Sequence, residues 1–129
     1  MLSQYSDAEI NRAKLTLESV KTTIMQLIEW NRDISTVDDY HGSRHGMQLL
    51  AANCTLITAV GEGVNRINRS LPGFLQSYYP GVPWHAIVSM RNHIAHGYFE
   101  VDSEIVFETV KTEMPGLLDV ICRIIATLS

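Results

Sequence analysis

His85, Ser89, Asn92 and His96 recur at spacings of four, three and four. On a helix turning about 100° per residue, that spacing lines all four up on one narrow stripe. A solvated helix face ordinarily carries Lys and Glu. This stripe instead carries groups that pass protons or hydrogen bonds without holding a fixed charge, which suits acid–base work on a polar substrate. Arg91 stands apart from it. The same wheel puts Arg91 inside the apolar arc of Trp84, Ile87, Val88, Ile94 and Ala95. A guanidinium that never loses its proton is costly there unless it is paired or placed in a cleft. It therefore marks either a site or a structural ion pair. His96 falls where a helix ends, and the negative end of the helix dipole favours an imidazolium there with or without a catalytic role. His93 lies off the stripe and reads as exposed.

Arg91 and His96 are five residues apart, about 140° around an ideal helix. Three arrangements would let them work together. The helix end distorts at Gly97, the long arginine curls round, or two protomers supply the groups across a two-fold axis.

Other chemistries find less support. His41 and His45 have the i, i+4 spacing of a helical zinc pair, but no HExxH motif or nearby Cys accompanies them, so no metal site is expected. Nothing resembles a nucleophile elbow. Gly61 and Gly63 are not followed by Gly-Lys-Ser/Thr, as a phosphate loop requires. They read instead as a place where a neighbouring helix comes close.

The elements that must position these residues are legible from periodicity and caps. Ser6-Asp7-Ala8-Glu9 is a capping box. It opens a helix to about Asn31, with Ile10, Ala13, Leu17, Val20, Ile24, Leu27 and Ile28 as its apolar stripe. Ser35 to Asp39 reads as a loop or a short capped helix. A second long helix follows Gly46, its apolar face running from Met47 through Leu50, Cys54, Ile57, Val60 and Val64 to Ile67. A short helical segment lies between Leu71-Pro72 and Tyr79-Pro80-Gly81. Pro83 suits the first turn of the helix bearing the polar stripe, which Gly97 terminates. Asp102 caps a last helix carrying Ile105, Val106, Val110, Leu117, Ile121, Ile124 and Leu128, with a kink or break at Pro115. No segment alternates with period two. The expected fold is all-α, an up-and-down bundle of about five helices, with residues 1–129 as a single domain.

Composition bounds the function. A chain that is 46% hydrophobic and 19% charged can build a core. Net charge is −4, so affinity for a polyanion would have to come from a local basic patch or from two chains combining their charges. Cys54 and Cys122 fall in apolar helical patterns and read as buried free thiols. Neither a signal peptide nor an apolar run of about 20 residues is present, which points to a cytoplasmic protein with no membrane partner.

Arg91-Asn92-His93-Ile94-Ala95-His96 resembles the R-x4-H signature of HEPN domains. The wider string is Pro83-Trp84, Met90-Arg91-Asn92 and Ala95-His96-Gly97-Tyr98, and it continues through Asp102, Glu104, Ile105 and Val106 to Pro115. It is similar to the HepT-like branch, from about residue 45 to the C-terminus. That resemblance implies a homodimeric, metal-independent endoribonuclease of the toxin type, with RNA as substrate and no cofactor. Arg91 and His96 would be catalytic, with Asn92 in support. It also implies an antitoxin partner, an MntA-like minimal nucleotidyltransferase that adds AMP to Tyr98. The competing expectation is a non-catalytic nucleotide-binding or substrate-binding subunit of such a nucleotidyltransferase complex, towards which the acidic net charge leans.

Overall fold

The computed structural model describes residues 2–94 and 102–129, the side chains of Arg91 and His93 excepted. In chain order the elements are α1 (Asp7–Trp30), a 3-10 turn (Val37–Tyr40), α2 (Arg44–Ser70), α3 (Phe74–Tyr78) and α4 (Trp84–Ile94). They are followed by α5 (Ser103–Glu108), a π-helical turn (Thr109–Glu113) and α6 (Met114–Leu128). The last three follow one another without a gap and form one rod. With that rod as the fifth helix the protein is an all-α bundle, and no strand occurs among the described residues.

The capping box that opens α1 is formed: Glu9 N donates to Ser6 Oγ (3.1 Å) and Ser6 N to Glu9 Oε1 (2.8 Å). These bonds hold the Glu9 carboxyl below its ordinary pKa. The α1 stripe is buried at Ala13, Leu17, Val20, Ile24 and Leu27, as its spacing predicts. Helix α2 begins at Arg44, ahead of the expected start after Gly46, because Ser43 caps it by accepting from Gly46 N at 2.9 Å. Gly46 thus lies within the first turn. Its missing Cβ is required there, since one would run into the Asp39 carbonyl. Asp39 in turn accepts from Ser35 N (2.7 Å) and Thr36 N (3.0 Å), which shapes the 3-10 turn and lowers the pKa of its carboxyl.

Two helix-forming expectations need adjustment. The rod does not break at Pro115. Pro115 has no N–H for the carbonyl four residues back, and the turn just before it rewinds as π-helix instead. Met47 and Ile105, placed on apolar faces by periodicity, are exposed, each in the first turns of its helix. Both cysteines are free, but Cys122 is exposed and Cys54 only half-buried, which corrects the reading of buried thiols. Burial raises the Cys54 thiol pKa.

Helix α1 packs on α2 on one side and on α6 on the other, while α4 packs on α2. Contacts fix the direction of the α1–α2 pair. Tyr5 OH donates to Pro72 O (2.8 Å), Gly63 faces Val20 and Thr16, and Asn31 bonds Asn53. Early α1 thus meets late α2, and the pair is antiparallel. Gly63 delivers the close approach expected of it, since a Cβ there would collide with the Val20 side chain.

At the far end of this pair lies a buried polar cluster. Asn31 Nδ2 donates to Asn53 Oδ1 (2.9 Å) and to Leu27 O (2.7 Å). Asn53 Nδ2 returns a bond to Asn31 Oδ1 (2.9 Å) and another to Tyr40 Oη (3.1 Å), while Tyr40 donates to Asn31 Oδ1 (2.7 Å). From the rod, Lys111 Nζ donates to Asn31 O (2.8 Å) and closes the C-terminal end of α1. Among the described residues no buried side-chain polar atom lacks a partner.

Asn53→Ala removes three of these bonds and leaves the Asn31 side chain only its bonds with Leu27 O and Tyr40 Oη. We expect it to cost about 2–3 kcal/mol, read as a lower midpoint in urea unfolding with unchanged m-value. Burial pushes the Tyr40 phenol up to about 12, above its unfolded value of 10.0. Its contribution to stability is therefore complete below pH 10 and is lost as pH rises towards 12. Thermal melts across that window should show a fall that is smaller in Tyr40→Phe than in the unmodified protein.

Candidate active site

Helix α4 is fastened at its start. The Trp84 indole N–H donates to both Leu75 O (3.1 Å) and Tyr79 O (2.9 Å), which ties α4 to α3 and the loop between them. Pro83 sits just outside the helix, and its carbonyl accepts from Ile87 N (3.1 Å). Trp84, Ile87 and Ile94 are buried in the common core, so the apolar arc faces inward as its spacing predicts. On the polar stripe His85 and Asn92 are exposed and Ser89 is half-buried. The described part of the stripe therefore borders solvent.

Position 91 belongs to the last described turn of α4, on the wheel between the buried Trp84 and Ile87. Asn92 follows it on the exposed side. The Arg91 side chain, together with all of Ala95, His96 and Tyr98, lies outside the described residues. The structure thus locates Arg91 and Asn92 on one helix, whereas the meeting of Arg91 with His96 and the place of Tyr98 fall beyond what it describes.

Two depressions flank α4. One is an apolar groove of about 490 Å³ between α4 and the rod, lined by Ala86, Ile87, Met90, Met114, Leu117 and Val120 among others. The other is a polar cleft of about 440 Å³ on the opposite flank, where Asn65, Asn68 and Gln76 stand around Trp84 and His85. The cleft was not anticipated. Its amides are spread over α2 and α3 and read in sequence as ordinary polar faces; the i, i+3 pair Asn65 and Asn68 was the available signal.

The His41–His45 pair does not form on one helix. His41 ends the 3-10 turn and its Nε2 lies 2.9 Å from Ser103 Oγ, while His45 is exposed in the first turn of α2. Among the described residues no three His, Cys, Asp or Glu side chains are grouped so as to hold a metal ion. No described helix is long and apolar enough to cross a membrane.

Residues 38–124 match the family described as Ribonuclease HepT-like, a span that includes α2, the whole of α4 and the R-x4-H segment. Among individual relatives, a protein of Thermococcus cleftensis named "Probable ribonuclease HepT" is 26% identical over 101 residues, 78% of this chain and 84% of its own. A protein of Methanocaldococcus jannaschii, provisionally named as an RNase, is 26% identical over 104 residues, 81% of this chain and 88% of its own. Another so named, from Caldanaerobacter subterraneus subsp. tengcongensis, is 36% identical over 58 residues, 45% of this chain and 48% of its own. No solved structure matches the chain at comparable significance. The all-α bundle and the extent of the match define a helical protein of the ribonuclease class. The chain belongs to the HepT-like ribonuclease family.

Proposed function

We propose that this chain is a metal-independent endoribonuclease acting as a single HEPN-type domain, with its working site assembled at a homodimer interface. The observation that carries the reading is the family match, whose bounds enclose Arg91, Asn92 and His96. The chemistry asks for no more than these groups. His96 takes the proton of a ribose 2′-OH, the oxygen attacks the adjacent phosphorus, and the bond from phosphorus to the 5′-oxygen breaks. The products are a 2′,3′-cyclic phosphate and a 5′-hydroxyl, the leaving oxygen receiving a proton from an imidazolium. Arg91 holds the phosphate through paired N–H donors and opposes the charge that builds on its oxygens. Asn92, one turn before His96, orients the imidazole or a phosphate oxygen.

The dimer is supported by two features. The apolar groove beside Met90 runs along the helix that bears the motif. The net charge of −4 also makes one Arg91 a weak anchor for RNA, and two in one cleft a better one. Regulation completes the proposal. As the toxin of a toxin–antitoxin pair, the protein is silenced when a minimal nucleotidyltransferase joins AMP from ATP to the Tyr98 oxygen, with pyrophosphate leaving. The added bulk and negative charge block the cleft and repel the RNA phosphate.

In chelator, the purified protein should cleave single-stranded RNA to products ending in cyclic phosphate. Arg91→Ala and His96→Ala should each lower the rate by about 10²–10⁴-fold. Equal cleavage by all three proteins would exclude these roles. Binding of AMP-containing ligands with no cleavage by protein of unmodified mass would favour the non-catalytic nucleotide-binding subunit instead. Co-expression with a minimal nucleotidyltransferase should add the mass of AMP to the chain and leave Tyr98→Phe unchanged, as read by intact mass spectrometry.

A further inference from the structure

The geometry points to a nucleobase subsite in the polar cleft at the start of α4, taking an unpaired adenine of the RNA strand. This rests on the ribonuclease reading of the same helix and extends it to substrate selection. The cleft has the right chemistry for a base. It holds about 440 Å³, and its described lining contains no Asp, Glu, Lys or Arg. Its polar groups are three amides and an imidazole, which read hydrogen-bond patterns and are indifferent to bulk charge.

The amides are partly organised already. Gln76 Nε2 donates to Asn68 Oδ1 at 3.1 Å. That bond leaves Asn68 Nδ2 as a donor and Gln76 Oε1 as an acceptor on two lining residues of the cleft. An adjacent donor and acceptor on amides is the pairing that recognises the amino group and ring nitrogen of adenine. Asn65 stands one turn before Asn68 on the same face of α2 and is half-buried. His85 is exposed at the cleft edge and offers a ring on which the base can stack. The Trp84 indole forms the floor, and its two hydrogen bonds to Leu75 O and Tyr79 O keep the floor fixed.

Position along the helix links the cleft to the motif. From His85 to Asn92 is about 10 Å of helix at 1.5 Å per residue, so a strand held at Arg91 can place a neighbouring base beside His85. Arg69 is exposed directly after Asn68 and makes no ion pair among the described residues, which leaves it available to a backbone phosphate of that nucleotide. Phosphate contacts then set the register of the strand and the amides choose the base.

The test uses the full chain, the double variant Asn65→Ala/Asn68→Ala, and Gln76→Ala. Gln76 is exposed, so its removal probes the same base contacts without touching a packed residue. End-labelled single-stranded RNA of mixed sequence is cleaved in chelator, and short labelled oligonucleotides differing in one base are titrated by fluorescence anisotropy. The full chain should cut at one fixed step from adenine. Each variant should raise KM at those positions about tenfold, with kcat changed less than about twofold and the cut distribution flattened. A base preference that both variants retain, or no preference in the full chain, overturns the subsite and leaves the ribonuclease reading intact. Absence of cleavage alongside adenine-dependent binding that the variants lose overturns the ribonuclease reading and sustains the subsite. A preference for another base that the variants abolish keeps the cleft and overturns adenine.

Discussion

The closed hydrogen-bond cluster of Asn31, Tyr40 and Asn53 constrains the rest of this molecule. Two long apolar helices can slide past each other by a turn at modest cost, because one aliphatic contact replaces another. Buried amides cannot. Each amide bonds the other and both bond the Tyr40 hydroxyl, so a slip of one turn would leave all three in an apolar core without partners. The cluster thus fixes α1 against α2 at one end, as Gly63 against Val20 does further along. Lys111 draws the rod to the same point by bonding the carbonyl of Asn31, the residue that caps α1.

With α2 locked by α1 and the rod, its remaining face is the shelf that carries α4. Helix α4 is held by α2 on one side and by the Trp84 indole at its start, and grooves remain open on its flanks. This is an effective way to present chemistry. The buried Trp84, Ile87 and Ile94 hold the helix against the core, while His85, Ser89 and Asn92 stay accessible on its other side. The precision of the stripe is inherited from packed helices and not from a loop.

Much of this was legible in the sequence because it follows from local rules. The Ser6–Glu9 box, the α1 stripe from Ala13 to Leu27 and the Asp102 cap depend on residues within one or two turns of each other. What was not legible depends on distant neighbours. Met47 and Ile105 have the spacing of core residues, yet exposure is decided by whether another helix extends far enough to cover them. Cys122 is exposed because it lies off the buried stripe of Leu117, Ile121, Ile124 and Leu128. Asn53 was a missed signal of another sort: it lies between Leu50 and Ile57 at steps of three and four, within a stripe read as buried. An amide in that register implies a buried partner, but Asn31 and Tyr40 could be named only once the helices were in place. The wheel reading of α4 held for Trp84, Ile87 and Ile94 inside and His85 and Asn92 outside, while Val88 and Ser89 are half-buried, and the separation of Arg91 from His96 lies past that segment.

The acidic balance of the chain gives the site its character on the proposed reading. A strongly basic nuclease binds any phosphate backbone, and counterion release supplies most of its affinity. With a net charge of −4 this chain forgoes that general attraction. Recognition then has to come from short-range groups in fixed positions. The uncharged stripe on α4 and the amide cleft beside it are such groups, and Arg91 of each protomer and Arg69 would supply charge at a few points only. RNA that offers no base to the cleft would gain little from so few guanidinium groups. The same economy of charge would make the site easy to silence, because the negative charge and bulk of AMP on Tyr98 would offset one of the few cations that hold the substrate and crowd it.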